Sequence, residues 1–148
     1  MVHETVGRPM EILLVEDSLI FARIAIGALK QGRVSHRLTW LTDGNEAFRF
    51  LTQEGKYANA PRPDLLLLDL KLPGMDGREL LAKVREDDNL RTLPVVVMTG
   101  EEGEQSTLDS LPVEAFLTKP LDLTKFIDIV QKLSSFWKAD MVLPAAAT

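Results

Sequence analysis

Residues that could bind a cation or a phosphoryl group stand directly after, or just past, several short apolar runs in this chain. In chain order they are Glu16, Asp17, Asp69, Thr99, Gly100 and Lys119. Three carboxylates brought together would repel one another unless a cation neutralised them. An oxygen-rich site of this kind suits Mg²⁺, which binds a few carboxylates, a backbone carbonyl and several waters. We therefore expect a Mg²⁺ site, in which Mn²⁺ or Ca²⁺ could substitute.

The aspartate in the middle of this set could act as a nucleophile. A carboxylate such as that of Asp69 can attack phosphorus and form an aspartyl phosphate. Lys119 would then offer a positive charge to the phosphoryl group, and Thr99 would donate a hydroxyl hydrogen bond to it. Gly100 leaves room for the approach, and the backbone carbonyl of Lys71 is the expected main-chain metal ligand. The predicted chemistry is phosphoryl transfer onto Asp69.

These residues can meet only if the apolar runs lie side by side as strands. The runs 12–15, 65–68 and 95–98, with a weaker one at 115–117, lack polar alternation and fit strands buried on both faces. A further strand is expected near 38–41. The strands alternate with helical segments, which predicts a doubly wound α/β fold with a five-stranded parallel sheet and five helices. In such sheets ligands bind beyond the carboxyl ends of the strands.

Apolar residues at helical spacing mark the segments between the predicted strands. They are Ile20, Ile24 and Leu29, then Ala47, Phe50 and Leu51, then Leu80, Leu81 and Val84, and finally Phe126, Ile127, Val130 and Leu133. Pro112 interrupts a segment that is already poor in this pattern, so the fourth helix is expected to be short. The segment 54–63 predicts a surface loop.

The motifs that carry these residues resemble those of response-regulator receiver domains, the CheY-like family. The resemblance lies in segments 14–18, 67–77, 98–100 and 118–120, which occur in the family's order at four strand ends. It implies the flavodoxin-like strand order 2-1-3-4-5, a histidine kinase as phosphodonor, and signalling through protein contacts. It divides the chain into an N-terminal extension (1–9), a receiver domain (10–136) and a C-terminal arm (137–148).

A narrower resemblance concerns segments 55–64, 135–137 and 143–146. These are similar to the small response regulators that partner bacterial phytochromes. The resemblance implies that the sensor histidine kinase is a bacterial phytochrome and that the protein forms a homodimer. The apolar residues of the arm are then expected to cross to the partner subunit, because that surface would otherwise be exposed. They are Trp137, Met141, Val142 and Leu143. The alternatives are a frayed tail or an arm folded back on its own subunit.

Two residues, Glu16 and Phe116, depart from the usual receiver pattern, and Lys71 and Glu101 are expected to affect hydrolysis of the phosphoryl group. The first acidic residue is Glu16, which we expect to reach the metal through water or hydrogen bonds while Asp17 ligates it directly. Phe116 stands where the family often has tyrosine, so any switch at this position would depend on packing. Lys71 and Glu101, each two residues past a site residue, are predicted to pair over the phosphoryl group and slow its hydrolysis.

Kinase docking is expected to involve the start of the first helix and the loop after the fifth strand. Phosphoryl transfer requires that Asp69 approach the phosphohistidine while water is kept out. Phe21, Ile24 and Leu121 are the candidate apolar contacts. The alternative is that some of them belong to the core.

Several other functions are disfavoured by composition and motifs. The chain has no cysteine, which excludes thiol chemistry and zinc-thiolate sites, and its net charge of −5 argues against nonspecific nucleic-acid binding. It lacks a P-loop motif, a signal peptide and an apolar run of membrane-spanning length, so we expect a cytoplasmic protein that binds neither nucleic acid nor membrane.

Two alternatives share parts of the predicted site. A haloacid-dehalogenase-type phosphatase would need a second aspartate two positions after the nucleophile, where this chain has Lys71. A pseudo-receiver adaptor would bind partners without phosphorylation, and the sequence alone leaves that reading open. We predict a phosphoacceptor that catalyses its own phosphotransfer and dephosphorylation rather than an enzyme with a separate substrate.

Overall fold

The computed structural model describes residues 8–31, 35–99, 113, 115–118, 124, 125 and 128. The strands in this part are β1 (Met10–Val15), β2 (His36–Leu41), β3 (Leu65–Asp69), β4 (Val95–Thr99) and β5 (Ala115–Thr118). The α-helices are α1 (Leu19–Gln31), α2 (Gly44–Leu51) and α3 (Gly77–Glu86). Thr124, Lys125 and Asp128 are also helical, whereas Pro112 and the predicted fourth helix lie outside the described residues. Among the described helices, none combines the length and apolar character needed to cross a membrane.

The five strands form one parallel sheet in the order β2-β1-β3-β4-β5, which confirms the expected topology. Successive side chains of β1 point to opposite faces, so Leu13 packs in one core cluster and Leu14 in another. In β3, Leu66 and Leu67 are divided in the same way. Both faces of the sheet are therefore buried, and this is why these strands are continuous apolar runs in the sequence.

Helices cover the two faces of the sheet. The cluster that contains Leu13 also contains buried residues of α2 and α3, including Phe50 and Leu81, as their spacing predicted. The opposite cluster, which contains Leu14, is covered by α1. The structure thus confirms the doubly wound arrangement for the part of the chain that it describes.

The buried face of α1 differs from the predicted one. Ala22, Ala25 and Leu29 pack on the sheet, whereas Ile20 is 71% exposed and Ile24 is 37% exposed. Of the three α1 residues noted for their helical spacing, Leu29 faces the core, whereas Ile20 and the docking candidate Ile24 do not. Small alanines let the helix lie close to the strands, and the larger Ile20 and Ile24 stand on the outer side.

The segment between α2 and β3 is a surface connection, as predicted, but it includes a short 3₁₀ turn, Gly55–Tyr57. The Tyr57 ring packs edge-to-face on Phe50, with 5.4 Å between the ring centroids. Lys56 pairs with Glu46 of α2 at 3.4 Å. These contacts attach the connection to α2.

A buried carboxylate lies at the amino-terminal end of β3. Asp64 is 3% exposed and accepts two hydrogen bonds from the guanidinium of Arg8, at 2.7 and 3.0 Å, and one from the backbone N–H of Glu11 at 2.8 Å. Arg8 thereby attaches the residues before β1 to the sheet. The predicted limits of the extension, the domain and the arm remain predictions.

Glycines allow the loop between β3 and α3 to pack closely against its neighbours. Gly74 has a φ of 71°, in the left-handed region that favours glycine. A Cβ atom at Gly77 would overlap the backbone carbonyl oxygen of Asp69 and Cα of Leu70. The backbone N–H of Gly77 donates to the carbonyl of Leu70 at 2.9 Å. The start of α3 is therefore fixed directly against the residues that end β3.

This packing predicts opposite effects of the same substitution at two glycines. Gly77→Ala should lower the free energy of unfolding by about 1–3 kcal/mol, because the added methyl group overlaps backbone atoms. Gly27→Ala should raise it by about 0.5–1 kcal/mol, because Gly27 lies within α1 and a Cβ there meets no atom within 4 Å. Urea denaturation of the two variants measures both changes. A Gly77→Ala protein whose free energy of unfolding equals that of the wild type would contradict this close packing.

Candidate functional site

Strand register explains why the predicted acidic residues meet. Val15 of β1 pairs with Leu68 of β3, so the residues that follow, Glu16 after β1 and Asp69 at the last position of β3, lie side by side. One carboxylate oxygen each from Glu16, Asp17 and Asp69 forms a group whose members all lie within 4.8 Å of one another. Glu16 is fully buried, Asp69 is 5% exposed, and Asp17 is exposed. The structure therefore brings together the three carboxylates that the sequence predicted.

This donor set fits a hard divalent cation. Three carboxylates at such short separations repel one another, and a cation among them would remove that repulsion. Mg²⁺, Mn²⁺ and Ca²⁺ all accept carboxylate and carbonyl oxygens, together with water, as ligands. Asp17, as the exposed member, would give such an ion access from solvent. The metal roles of Glu16, Asp17, Asp69 and the Lys71 carbonyl remain predictions.

The loop that carries Glu16 and Asp17 is held by short hydrogen bonds. The backbone N–H of Glu16 donates to the carbonyl of Leu41 at 3.0 Å, and the indole Nε1 of Trp40 donates to the carbonyl of Glu16 at 2.7 Å. The backbone N–H of Ser18 donates to the Glu16 carboxylate at 3.0 Å. The hydrogen bond from Trp40 was not predicted from the sequence. A single indole on the partly buried strand β2 gave no signal that its N–H reaches the loop of Glu16 and Asp17.

Asp69 directly precedes the loop to α3, several residues of which line a depression. Its Oδ1 atom accepts a hydrogen bond from the backbone N–H of Lys71 at 3.1 Å. The depression has a volume of about 490 Å³ and is lined by Asp17, Leu70, Lys71, Leu72, Asp76 and Arg78. Lys71 is exposed there, as a residue that modulates the phosphoryl group would need to be. Arg78, also at this depression, was not predicted as a site residue.

The remaining predicted phosphoryl-binding residues are described only in part. The backbone of Thr99 ends β4 opposite Thr118, in register with the strand end that carries Asp69. Phe116 is partly buried and packs against the core cluster that contains Leu13 and Phe50, which agrees with a role that depends on packing. Several other predicted residues lie outside the described part of the chain: Gly100, Glu101, Lys119, Leu121, Trp137, Met141, Val142 and Leu143.

A group of exposed apolar side chains stands at the start of α1, close in sequence to the acidic loop. We call Leu19, Ile20 and Ile24 the α1 patch; they are 50%, 71% and 37% exposed. Ile24 was a predicted docking residue, and its exposure is compatible with that role. Phe21, the other described candidate, is only partly buried. Leu19 and Ile20 were not predicted as docking residues.

The fold is a doubly wound parallel sheet, and three carboxylates cluster at the carboxyl ends of β1 and β3. This combination of fold and site is typical of receiver domains. Comparison of the sequence with known families agrees with this assignment. The chain matches the response regulator receiver domain over residues 12–131. It belongs to the response regulator receiver family.

Individual relatives include regulators from phytochrome signalling. Response regulator Rcp1 of Synechocystis sp. is 44% identical over 140 residues, which cover 93% of this chain and 95% of Rcp1. The crystal structure of Mn²⁺-bound Rcp1 matches with a TM-score of 0.72 over 93% of this chain and 100% of that one. Phosphorylated RcpA, a cyanobacterial phytochrome response regulator, is 40% identical, with a TM-score of 0.72 over 93% and 99% of the two chains. The bacteriophytochrome response regulator AtBRR is 38% identical, with a TM-score of 0.80 over 88% and 96%.

The geometry of the carboxylates predicts the effect of removing one charge. Asp17→Asn should weaken Mg²⁺ binding at least about tenfold, because an exposed anionic ligand is lost. Without divalent cations, the free energy of unfolding of this variant should be about 1 kcal/mol higher than that of the wild type, since the repulsion among the carboxylates is reduced. Calorimetric Mg²⁺ titration and urea denaturation in EDTA measure the two effects.

Asp88→Asn is a matched control for this prediction. The side chain of Asp88 is 92% exposed and lies beyond α3, and the substitution removes the same charge. It should change neither Mg²⁺ affinity nor the effect of Mg²⁺ on stability. Equal Mg²⁺ affinities for the wild type, Asp17→Asn and Asp88→Asn would contradict a metal site at Asp17.

Proposed function

We propose that this protein is a response regulator that accepts a phosphoryl group from a histidine kinase onto Asp69 and signals through protein contacts. The observation that supports this most directly is the position of Asp69. It ends a buried strand, next to Glu16 and Asp17, at the edge of the sheet where doubly wound proteins bind ligands. Membership of the receiver family supports the same role.

Asp69 would act as the nucleophile. Its carboxylate oxygen attacks phosphorus, the bond between phosphorus and the kinase histidine breaks, and the imidazole leaves. The backbone hydrogen bond from Lys71 holds one Asp69 oxygen, which restricts the orientation of the carboxylate. The depression lined by Asp17 and Lys71 is the side from which we propose that the phosphodonor approaches. Thr99 and Lys119 are the residues that we propose bind the transferred group.

Asp17, Asp69 and the carbonyl of Lys71 would hold a divalent cation directly, and Glu16 would hold it through water or hydrogen bonds. The cation supplies positive charge that offsets the charges of the carboxylates and of the incoming phosphoryl group. We favour Mg²⁺, while Mn²⁺ or Ca²⁺ could occupy the same oxygen ligands. The Mn²⁺-bound state of Rcp1 supports a divalent site in this family.

The phosphodonor that we favour is a bacterial phytochrome. Rcp1, RcpA and AtBRR support this, since the last two are described as phytochrome and bacteriophytochrome response regulators and each aligns over most of this chain. The α1 patch offers an exposed apolar surface, close in sequence to Asp17, on which the helices of a kinase could pack. A homodimer that exchanges the C-terminal arm is also proposed, on the basis of the apolar residues of that segment.

Phosphorylation should depend on a single residue. Incubation of the wild type with acetyl phosphate and Mg²⁺ should add the mass of one phosphoryl group, and Asp69→Asn should abolish this addition because the amide is not a nucleophile. Intact-mass spectrometry measures it, with Asp88→Asn as a control of equal charge that should be labelled normally. Labelling that persists in Asp69→Asn would contradict the proposed phosphoacceptor. A wild type that is never labelled, by acetyl phosphate or by a kinase, would favour the pseudo-receiver alternative.

The α1 patch should be required for transfer from a kinase but not from a small phosphodonor. Ile20→Glu places a charge on a side chain that is 71% exposed, so the fold should tolerate it. We expect transfer from a phosphorylated bacterial phytochrome kinase to slow about tenfold or more, because an apolar contact is lost. The rate with acetyl phosphate should change less than about twofold, since that donor needs no protein interface.

Lys30→Gln is the control for charge on the same helix. Lys30 is exposed in the last turn of α1, and its substitution changes the net charge by the same amount as Ile20→Glu. It should leave both rates nearly unchanged. If Ile20→Glu slows both donors equally, the patch affects the site itself rather than kinase docking.

A further inference from the structure

Two consecutive residues of β2 hold the backbone of Glu16 from both sides. The carbonyl of Leu41 accepts a hydrogen bond from the Glu16 N–H at 3.0 Å, and the indole of Trp40 donates to the Glu16 carbonyl at 2.7 Å. That carbonyl belongs to the peptide group that joins Glu16 to Asp17. Its direction therefore helps to set the positions of both acidic side chains.

The Trp40 indole is itself held by packing. It is partly buried against the core cluster that contains Leu14 of β1 and Ala22 of α1. The ring cannot turn freely, so its N–H is aimed at the acidic loop before any ligand binds. A phenylalanine would fill much of the same space but has no N–H to donate.

The acidic loop needs such a restraint because its charges repel. Oxygens of Glu16, Asp17 and Asp69 lie within 4.8 Å of one another, and a loop free to move would separate them. The Leu41 hydrogen bond continues the main-chain pairing between β1 and β2, and the carbonyl of any residue at position 41 could accept it. The Trp40 hydrogen bond depends on one side chain, so it is the element of the restraint that is specific to this sequence.

We propose that Trp40 is a positioning residue for the divalent-cation site, which holds the peptide group between Glu16 and Asp17 through its indole N–H. This inference rests on the proposed function, because the cation site is part of that proposal. By this proposal β2 affects metal affinity, although it supplies none of the predicted ligands.

The test removes the N–H without changing the shape of the ring. The chain has two tryptophans, so a Trp137→Phe background leaves position 40 as the single site for a tryptophan analogue. Benzothienylalanine, in which sulfur replaces the indole N–H, is then incorporated at position 40. Mg²⁺ affinity should fall about threefold to tenfold relative to the tryptophan-containing Trp137→Phe protein, the size expected for one lost hydrogen bond. Trp40→Phe should give a loss at least as large.

Leu38→Ala is the matched control for packing. Leu38 lies on the same strand, is partly buried, and packs against the same core cluster as Trp40. It should lower the urea midpoint while the folded protein keeps its Mg²⁺ affinity, as measured by calorimetry below the unfolding transition. An affinity that falls in Leu38→Ala as much as in the benzothienyl protein would overturn the inference, since packing alone would then explain the loss.

The failure of this inference can be distinguished from failure of the proposed function. If the Trp137→Phe protein binds Mg²⁺ and the benzothienyl protein binds it equally well, Trp40 has only a structural role and the cation site stands. If the wild type binds no Mg²⁺, the proposed cation site is wrong and this inference is wrong with it.

Discussion

Mutual repulsion among the carboxylates of Glu16, Asp17 and Asp69 is the constraint on which the rest of the site depends. The parallel register of β1 and β3 places these groups at one sheet edge whether or not a ligand is present. Hydrogen bonds and close packing hold the surrounding structure in place against that repulsion. Glu16 is fixed to β2 on both sides of its Cα atom, Asp69 accepts a bond from the loop that follows it, and glycine at position 77 lets α3 begin directly against that loop.

The strand ends could be predicted from the sequence because parallel sheets impose a simple rule. Unbroken apolar runs such as 65–68 are buried on both faces, and the residue that follows each run must leave at the same edge. Asp69 and the pair Glu16 and Asp17 are therefore located by pattern alone. The rule uses only backbone geometry, so it holds whichever side chains fill the core.

Contacts that depend on side-chain size or direction could not be predicted in this way. The isoleucines of α1 have helical spacing, but the alanines at 22 and 25 have it as well, and close packing on the sheet favours the smaller residues. Spacing alone does not say which of two stripes is buried. The hydrogen bond from Trp40 to Glu16 joins residues 24 positions apart and depends on the orientation of one indole, which no local pattern records.

The buried and the exposed stripes of α1 consist of different residues, so each can be under its own evolutionary constraint. Ala22 and Ala25, with Leu29, hold the helix on the sheet, while Leu19, Ile20 and Ile24 have a large part of their surface in solvent. Replacement of the outer residues would leave the core packing largely unchanged. Descendants of a duplicated gene could therefore diverge in the outer stripe and acquire different partners while the inner stripe, and with it the chemistry at the strand ends, stayed the same.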